Sequence, residues 1–202
     1  NIVDTLMMGW LGPTALAAGG LGAVIFWTVL ALFTGLLEMT GALAAEAYGA
    51  EDEVRVGVIT AQALLLSFGV SLPGMLLFWH LGGILLWLGQ APPIVAQTMI
   101  YLRAMMWGLP AALGLFVFKE ITTALMQPRL LTLLMVGSIP VNVMLNDALM
   151  FGKWGLPQLG LAGIGGSSAL IFWGLFIIAA WCLKRRRDLR RWQLFGSIGR
   201  LN

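Results

Sequence analysis

The chain has 202 residues, 59% hydrophobic and 10% charged, with a mean hydropathy of +0.90 and a formal net charge of +3. Soluble domains carry nearer a quarter charged residues, so these side chains cannot cover a water-facing surface and the chain belongs in a bilayer. Its single cysteine, Cys182, excludes an intrachain disulfide framework and a cysteine-based metal site, and reads as a small hydrophobe within an apolar run.

Crossing the hydrocarbon takes roughly 20 apolar residues as a helix. The first run, Asn1 to Leu11, is too short to cross alone at about 1.5 Å per residue. It reads as the exit half of a helix whose start lies upstream. No initiating Met and no signal-peptide layout precede it, so a piece of a longer protein is expected. Next come Ala15 to Leu37 and Gly57 to Trp79, both without charge. The piece Ile84 to Gly89 reads as a short interfacial helix. Ile94 to Phe118 contains only Arg103, Leu130 to Phe151 only Asp147, and Ala162 to Leu183 no charge. The connections "GPT", "YGAEDE", "GQAPP", "MQPR" and "GKWGLPQLG" are rich in turn residues. The expectation is an all-α membrane protein: a six-helix transmembrane bundle over residues 1–183 with its first helix truncated. A basic segment follows over residues 184–202.

Seven of the twelve Lys and Arg residues lie after residue 183. With six alternating helices, Arg55, Lys119 and Arg129 fall on the same side as that tail, and Arg103 and Lys153 toward the other. The positive-inside rule then puts the tail in the cytoplasm and runs the first helix outward. The run "KRRRDLRRW" fits a juxtamembrane stop signal and lipid-headgroup contact rather than nucleic acid.

Polar residues inside apolar spans are costly; a carboxylate near the bilayer centre costs about 2.5–3.5 kcal/mol on insertion scales. Asp4, in "NIVDTLMMGWLG", is the foremost example. Either it is paired as a stabiliser, or it takes up and releases a proton or holds a cation. Asn142 and Asn146 stand four apart and share a helix face; they suit interhelical hydrogen bonds or a cation site. Asp147 turns about 100° away and reads as water-facing or paired. Glu38 lies late in the second helix and is a secondary candidate, while Glu46 lies nearer water. Lys119 and Glu120 read as headgroup-facing or paired. Pro73, Pro110 and Pro140 interrupt three helices and release the carbonyls of Gly69, Met106 and Val136. Glycines near residues 20 and 165, with Ser167 and Ser168, read as close-packing positions. "GIGGSS" lacks the following Lys of a phosphate loop. His80 is the only histidine, which leaves no His-rich metal site and no Ser–His pair for an intramembrane enzyme.

In this order and spacing, "VDTLMMGWLG", "AAEAYGAED", "LGQAPPIV", and "N-x-x-x-N" followed by "G-x-x-G-L-P-x-L-G-x-x-G" resemble the MATE family of multidrug and toxic compound extrusion transporters, NorM-type. The resemblance runs end to end and implies one amino-terminal lobe of a twelve-helix, two-lobe transporter. It implies secondary active export of organic cations or other amphipathic drugs in exchange for H+ or Na+, with alternating access, in the bacterial inner membrane. No cofactor is implied. The partners implied are the drug, the ion, the bilayer and a carboxy-terminal lobe, with no nucleic acid. Asp4 matches the family's acidic coupling residue and Asn142 an asparagine of the same polar cluster, and Asn146 falls where some members have Asp. A Thr carried by some members on the sixth helix is set against Leu170, which implies that its hydroxyl is absent here. The rivals are a lipid-linked oligosaccharide flippase of the same superfamily, disfavoured by a single intramembrane Arg, and a non-transporting membrane fragment.

Overall fold

The computed structural model describes residues 2–155 and 157–185. The tail expected to be a basic cytoplasmic segment falls outside the described residues from 186 onward. Eight α-helices follow one another: α1 (Ile2–Trp10), α2 (Pro13–Leu37), α3 (Met39–Gly49), α4 (Glu53–Trp87), α5 (Pro92–Met105), α6 (Leu109–Ala124), α7 (Arg129–Phe151) and α8 (Leu161–Arg185). They combine into five rods long and apolar enough to cross a membrane, with α1 beside them.

Helix boundaries follow local chemistry. Gly12, at φ 107°, turns the chain into α2, and Pro13 supplies the preset φ of a first helical turn. Asp52 caps α4 by accepting from the Arg55 backbone N–H at 2.9 Å. Gly152, at φ 72°, ends α7 in the left-handed conformation that glycine adopts without a Cβ penalty.

Three expectations change. Ile84 to Gly89 is no separate interfacial helix: α4 continues to Trp87, because nothing in "WHLGGILLW" breaks the backbone ladder before Gly89, at φ 81°. The second span breaks at Glu38, and α2 with α3 forms a 37-residue rod, Pro13–Gly49. The fourth span is not one kinked helix. A 3-10 turn at Met106–Gly108 separates α5 from α6, and Pro110 sits in the first turn of α6. The Met106 carbonyl expected to be free accepts from the Leu109 N–H. It is the Trp107 carbonyl that draws a partner from elsewhere, the Trp173 indole N–H at 2.8 Å.

The α5–α6 rod is the axis of the bundle and the most buried of the five. It meets α2, α4 and α8 on different sides. Thr98 ties it to α2 through the Ala18 carbonyl at 3.0 Å. Aromatic rings fill the layers between rods: Phe26 stacks on Phe78 at 5.6 Å, and Phe118 on Phe176 at 5.2 Å. The glycines of α8 bring backbones together. A Cβ on Gly165 would stand 2.6 Å from the Tyr101 carbonyl oxygen, and one on Gly163 2.6 Å from that of Leu149. Only glycine allows these approaches. They set α8 against both α5 and α7.

Candidate functional site

Three helices bring their polar side chains to one place. Asp4 of α1, Asn142 and Asn146 of α7, and Ser167 of α8 are all buried. The Asn146 amide nitrogen donates to Asp4 Oδ1 at 2.7 Å and to Asn142 Oδ1 at 3.2 Å. Its carbonyl oxygen accepts from Ser167 Oγ. Ser167 also reaches the Ile164 carbonyl of its own helix at 2.9 Å. Asn146 is therefore the hub: both N–H bonds and the oxygen of one amide join three helices.

The helical spacing explains half of this. Asn142 and Asn146 share a face because they stand four apart, and that face is the one turned toward α1 and α8. The close approach of α7 and α8 at Gly163 supplies the other half, since it brings the next turn of α8, and Ser167 with it, within reach of Asn146.

Below the cluster lies a cavity of about 410 Å3, within the range of small-molecule pockets. Asp4, Asn142 and Ser168 stand at one part of its lining, and Thr34, Lys119 and Ser138 at others. Its walls are otherwise apolar and aromatic, with Trp27, Leu30, Phe116, Ile139 and Phe172 prominent. Tyr101, fully buried in α5, lines it as well. Among the ring faces its lining carries one carboxylate, Asp4, and one ammonium, Lys119.

The other candidates lie elsewhere. Glu38 is exposed at the break between α2 and α3 and does not line the cavity. Asp147 faces outward and pairs with Lys153 at 2.8 Å. Glu46 pairs with Arg55 at 3.1 Å, and His80 is exposed. Arg103, the one basic residue of its span, lies over the Trp79 ring at 5.0 Å.

Three contributors escaped the sequence reading. Lys119 pairs with Glu120 at 3.3 Å as expected, but it also lines the cavity. Ser167 and Ser168, read there as packing positions, are the hydroxyls α8 brings to the cluster and the cavity wall. Leu170, set against the family's Thr, is 56% exposed and outside the cluster. The signal was present in "GIGGSS": two hydroxyl residues a turn past glycines that meet neighbouring backbones.

The MatE family model matches residues 1–148. The chain is 38% identical over its whole length to the "Probable multidrug resistance protein NorM" of Synechocystis sp., of which it covers 44%. Among solved structures, it overlays an inward-facing multidrug resistance MATE family transporter of the MOP superfamily with a TM-score of 0.84. That match has 22% identity and covers all of this chain and 47% of the other. The eukaryotic MATE transporter AtDTX14 overlays with a TM-score of 0.83 at 23% identity, covering 98% of this chain and 45% of the other. These overlays share the helical fold. The chain spans less than half the length of the curated relatives it matches.

Proposed function

The chain belongs to the MatE family of membrane transporters, and on that premise we propose that it forms the amino-terminal lobe of a proton-coupled exporter of organic cations. The lobe is residues 1–183, and residues 184–202 are a cytoplasmic linker toward a second lobe. The protein sits in the bacterial inner membrane with that basic linker inside. The curated relatives carry names of multidrug resistance proteins, which supports drugs as the cargo.

The observation that carries the reading is the placement of Asp4. It is a buried carboxyl that lines a largely apolar cavity, and it accepts an amide hydrogen bond from Asn146. Ionised, it draws a cation into the cavity. Protonated from outside, it loses that attraction and the cation leaves. A ligand moves a two-state carrier only through its different affinity for the two states, and the charge on Asp4 supplies that difference. Two lobes alternating in access convert it into export.

The test uses the complete reading frame in everted vesicles. Movement of a fluorescent organic cation is followed under a pH gradient and, separately, under a Na+ gradient. The wild type is expected to respond to the pH gradient, and Asp4→Asn to insert normally without coupled efflux. Undiminished proton-driven efflux in Asp4→Asn would move coupling away from this lobe.

A further inference from the structure

Arg103 is exposed on the outside of the bundle, in a stretch otherwise without charge from Ile94 to Phe118, and it does not line the cavity. Among the described residues its guanidinium meets no carboxylate and no hydrogen-bond acceptor. What it meets is the face of the Trp79 ring of α4, at 5.0 Å. We propose that Arg103, seated on Trp79, holds the phosphate of an anionic phospholipid in the leaflet that surrounds the α4–α5 connection. In the orientation proposed above this is the outer leaflet; the binding itself is the same in either orientation.

Depth argues for a lipid. The α5–α6 rod has 33 residues and α4 has 35, roughly 50 Å each at about 1.5 Å per residue. Centred on a hydrocarbon layer about 30 Å thick, each rod leaves about 10 Å outside it at either end. Trp79 lies about 12 Å back from Trp87, where α4 ends, and so is level with the edge of the hydrocarbon. Arg103 lies about 16 Å in from Pro92, where α5 begins, so its backbone is about 6 Å below that edge. Side chains of a helix lean toward its N-terminus, and α5 begins at this end. Arg103 therefore leans up toward the headgroups and meets the indole at their margin. Long basic side chains near a membrane boundary bury their stems and lift the charge to the interface, and Trp is a ring that settles there.

The chemistry narrows the partner. A guanidinium presents five N–H donors in a planar fork that matches two phosphate oxygens. A ring face attracts the charge but accepts no ordinary hydrogen bond, so contact with Trp79 leaves those donors unanswered. At the hydrocarbon edge a phosphodiester is the acceptor at hand, and it binds charge to charge. A lipid with net negative charge suits the site better than a zwitterionic one, whose own ammonium offsets its phosphate. Trp107 stands one turn deeper on the same rod, 60% exposed. With Trp79, 50% exposed, it gives an acyl chain an apolar track beside the cation. Inorganic phosphate has no tail for those rings.

The experiment places the full-length protein in phosphatidylcholine nanodiscs with rising phosphatidylglycerol. Native mass spectrometry reads the lipid each variant retains, and thermal midpoints are followed in the same series. The wild type is expected to retain phosphatidylglycerol over phosphatidylcholine, and Arg103→Gln to bind it about tenfold more weakly. Arg103→Lys, which keeps the charge without the fork, falls between them. Lys153→Gln removes a charge at the same end of the bundle, one already paired with Asp147, and is expected to match the wild type. Equal retention in the wild type and Arg103→Gln overturns the proposal. So does an equal loss in Lys153→Gln, which would reduce the effect to bulk charge attraction. Displacement of the lipid by inorganic phosphate alone would reveal a site for the free anion and overturn it as well. A midpoint that drops equally in every lipid mixture in Arg103→Gln, with lipid retention unchanged, would give Arg103 a protein carboxylate as partner instead of a lipid. Where Arg103→Gln fails to insert, Arg103→Lys decides: a several-fold loss supports the lipid site and an unchanged affinity overturns it.

Discussion

The α5–α6 rod and α7 cross the same slab, yet 67% of the rod's apolar stretch is buried inside the bundle and only 22% of that of α7. The rod is gripped on several sides and its buried residues are almost all apolar or small. Helix α7 buries five residues, and two of them are asparagines. Leu133, Val136, Val143 and Met144 are exposed on its outer side. The two helices are held for different reasons. Dispersion and close packing hold the rod, since lipid tails offer no hydrophobic gain to association. Hydrogen bonds that find no substitute in hydrocarbon turn α7 inward.

If that contrast is right, the heaviest blow to folding falls at the rod. Gly165→Leu pushes a side chain into the α5 backbone at Tyr101. The expected loss is about 3 kcal/mol or more, seen as the disappearance of a monodisperse peak after detergent extraction of the full-length protein. A variant with the wild-type thermal midpoint would show that α8 does not seat there. Next, Phe118→Ala removes the ring stacked on Phe176 and costs about 3 kcal/mol. Asn146→Ala removes three hydrogen bonds, worth on average about 0.6 kcal/mol each in membranes and so about 2 kcal/mol together, but abolishes coupled efflux. Thermal midpoints and vesicle efflux, measured side by side, separate the two. Equal destabilisation with efflux preserved in Asn146→Ala would erase the distinction between the helices. The smallest effect belongs to the outer face of α7. Leu133→Ala, at a site 71% exposed, shifts stability by no more than about 0.5 kcal/mol; a larger drop would mean that another surface covers that face.

Much of this was legible in the residues, and what was not has a common cause. Uninterrupted apolar runs marked the five spans, since a helix needs about 20 such residues to cross. Asp4, Asn142 and Asn146 stood out because their polarity is costly in an apolar run, and i, i+4 spacing put the two asparagines on one face. Helix rotation stayed hidden. A span apolar on every side has no periodic stripe to show which face packs, so Ser167 looked no different from any small residue at a helix contact. The turn of Lys119 toward the cavity stayed hidden in the same way. The breaks were partly hidden too. Pro110 announced an interruption, but where it fell depended on the close seat of Gly108 against Ala169, a contact 61 residues apart in number and invisible in either segment alone.

The bond from the Trp173 indole to the Trp107 carbonyl has a bearing on how the protein is born. Its two ends are 66 residues apart. At a synthesis rate of about 5–20 residues per second, the acceptor waits roughly 3–13 s for its donor. During that interval the interrupted rod sits in the translocation machinery or the lipid with this contact unmade. Helix α8, the later of the two segments to emerge, is thus also the one that fastens the middle of the rod, and a ribosome pausing between them would hold the bundle in an unfinished state that quality-control proteases can recognise.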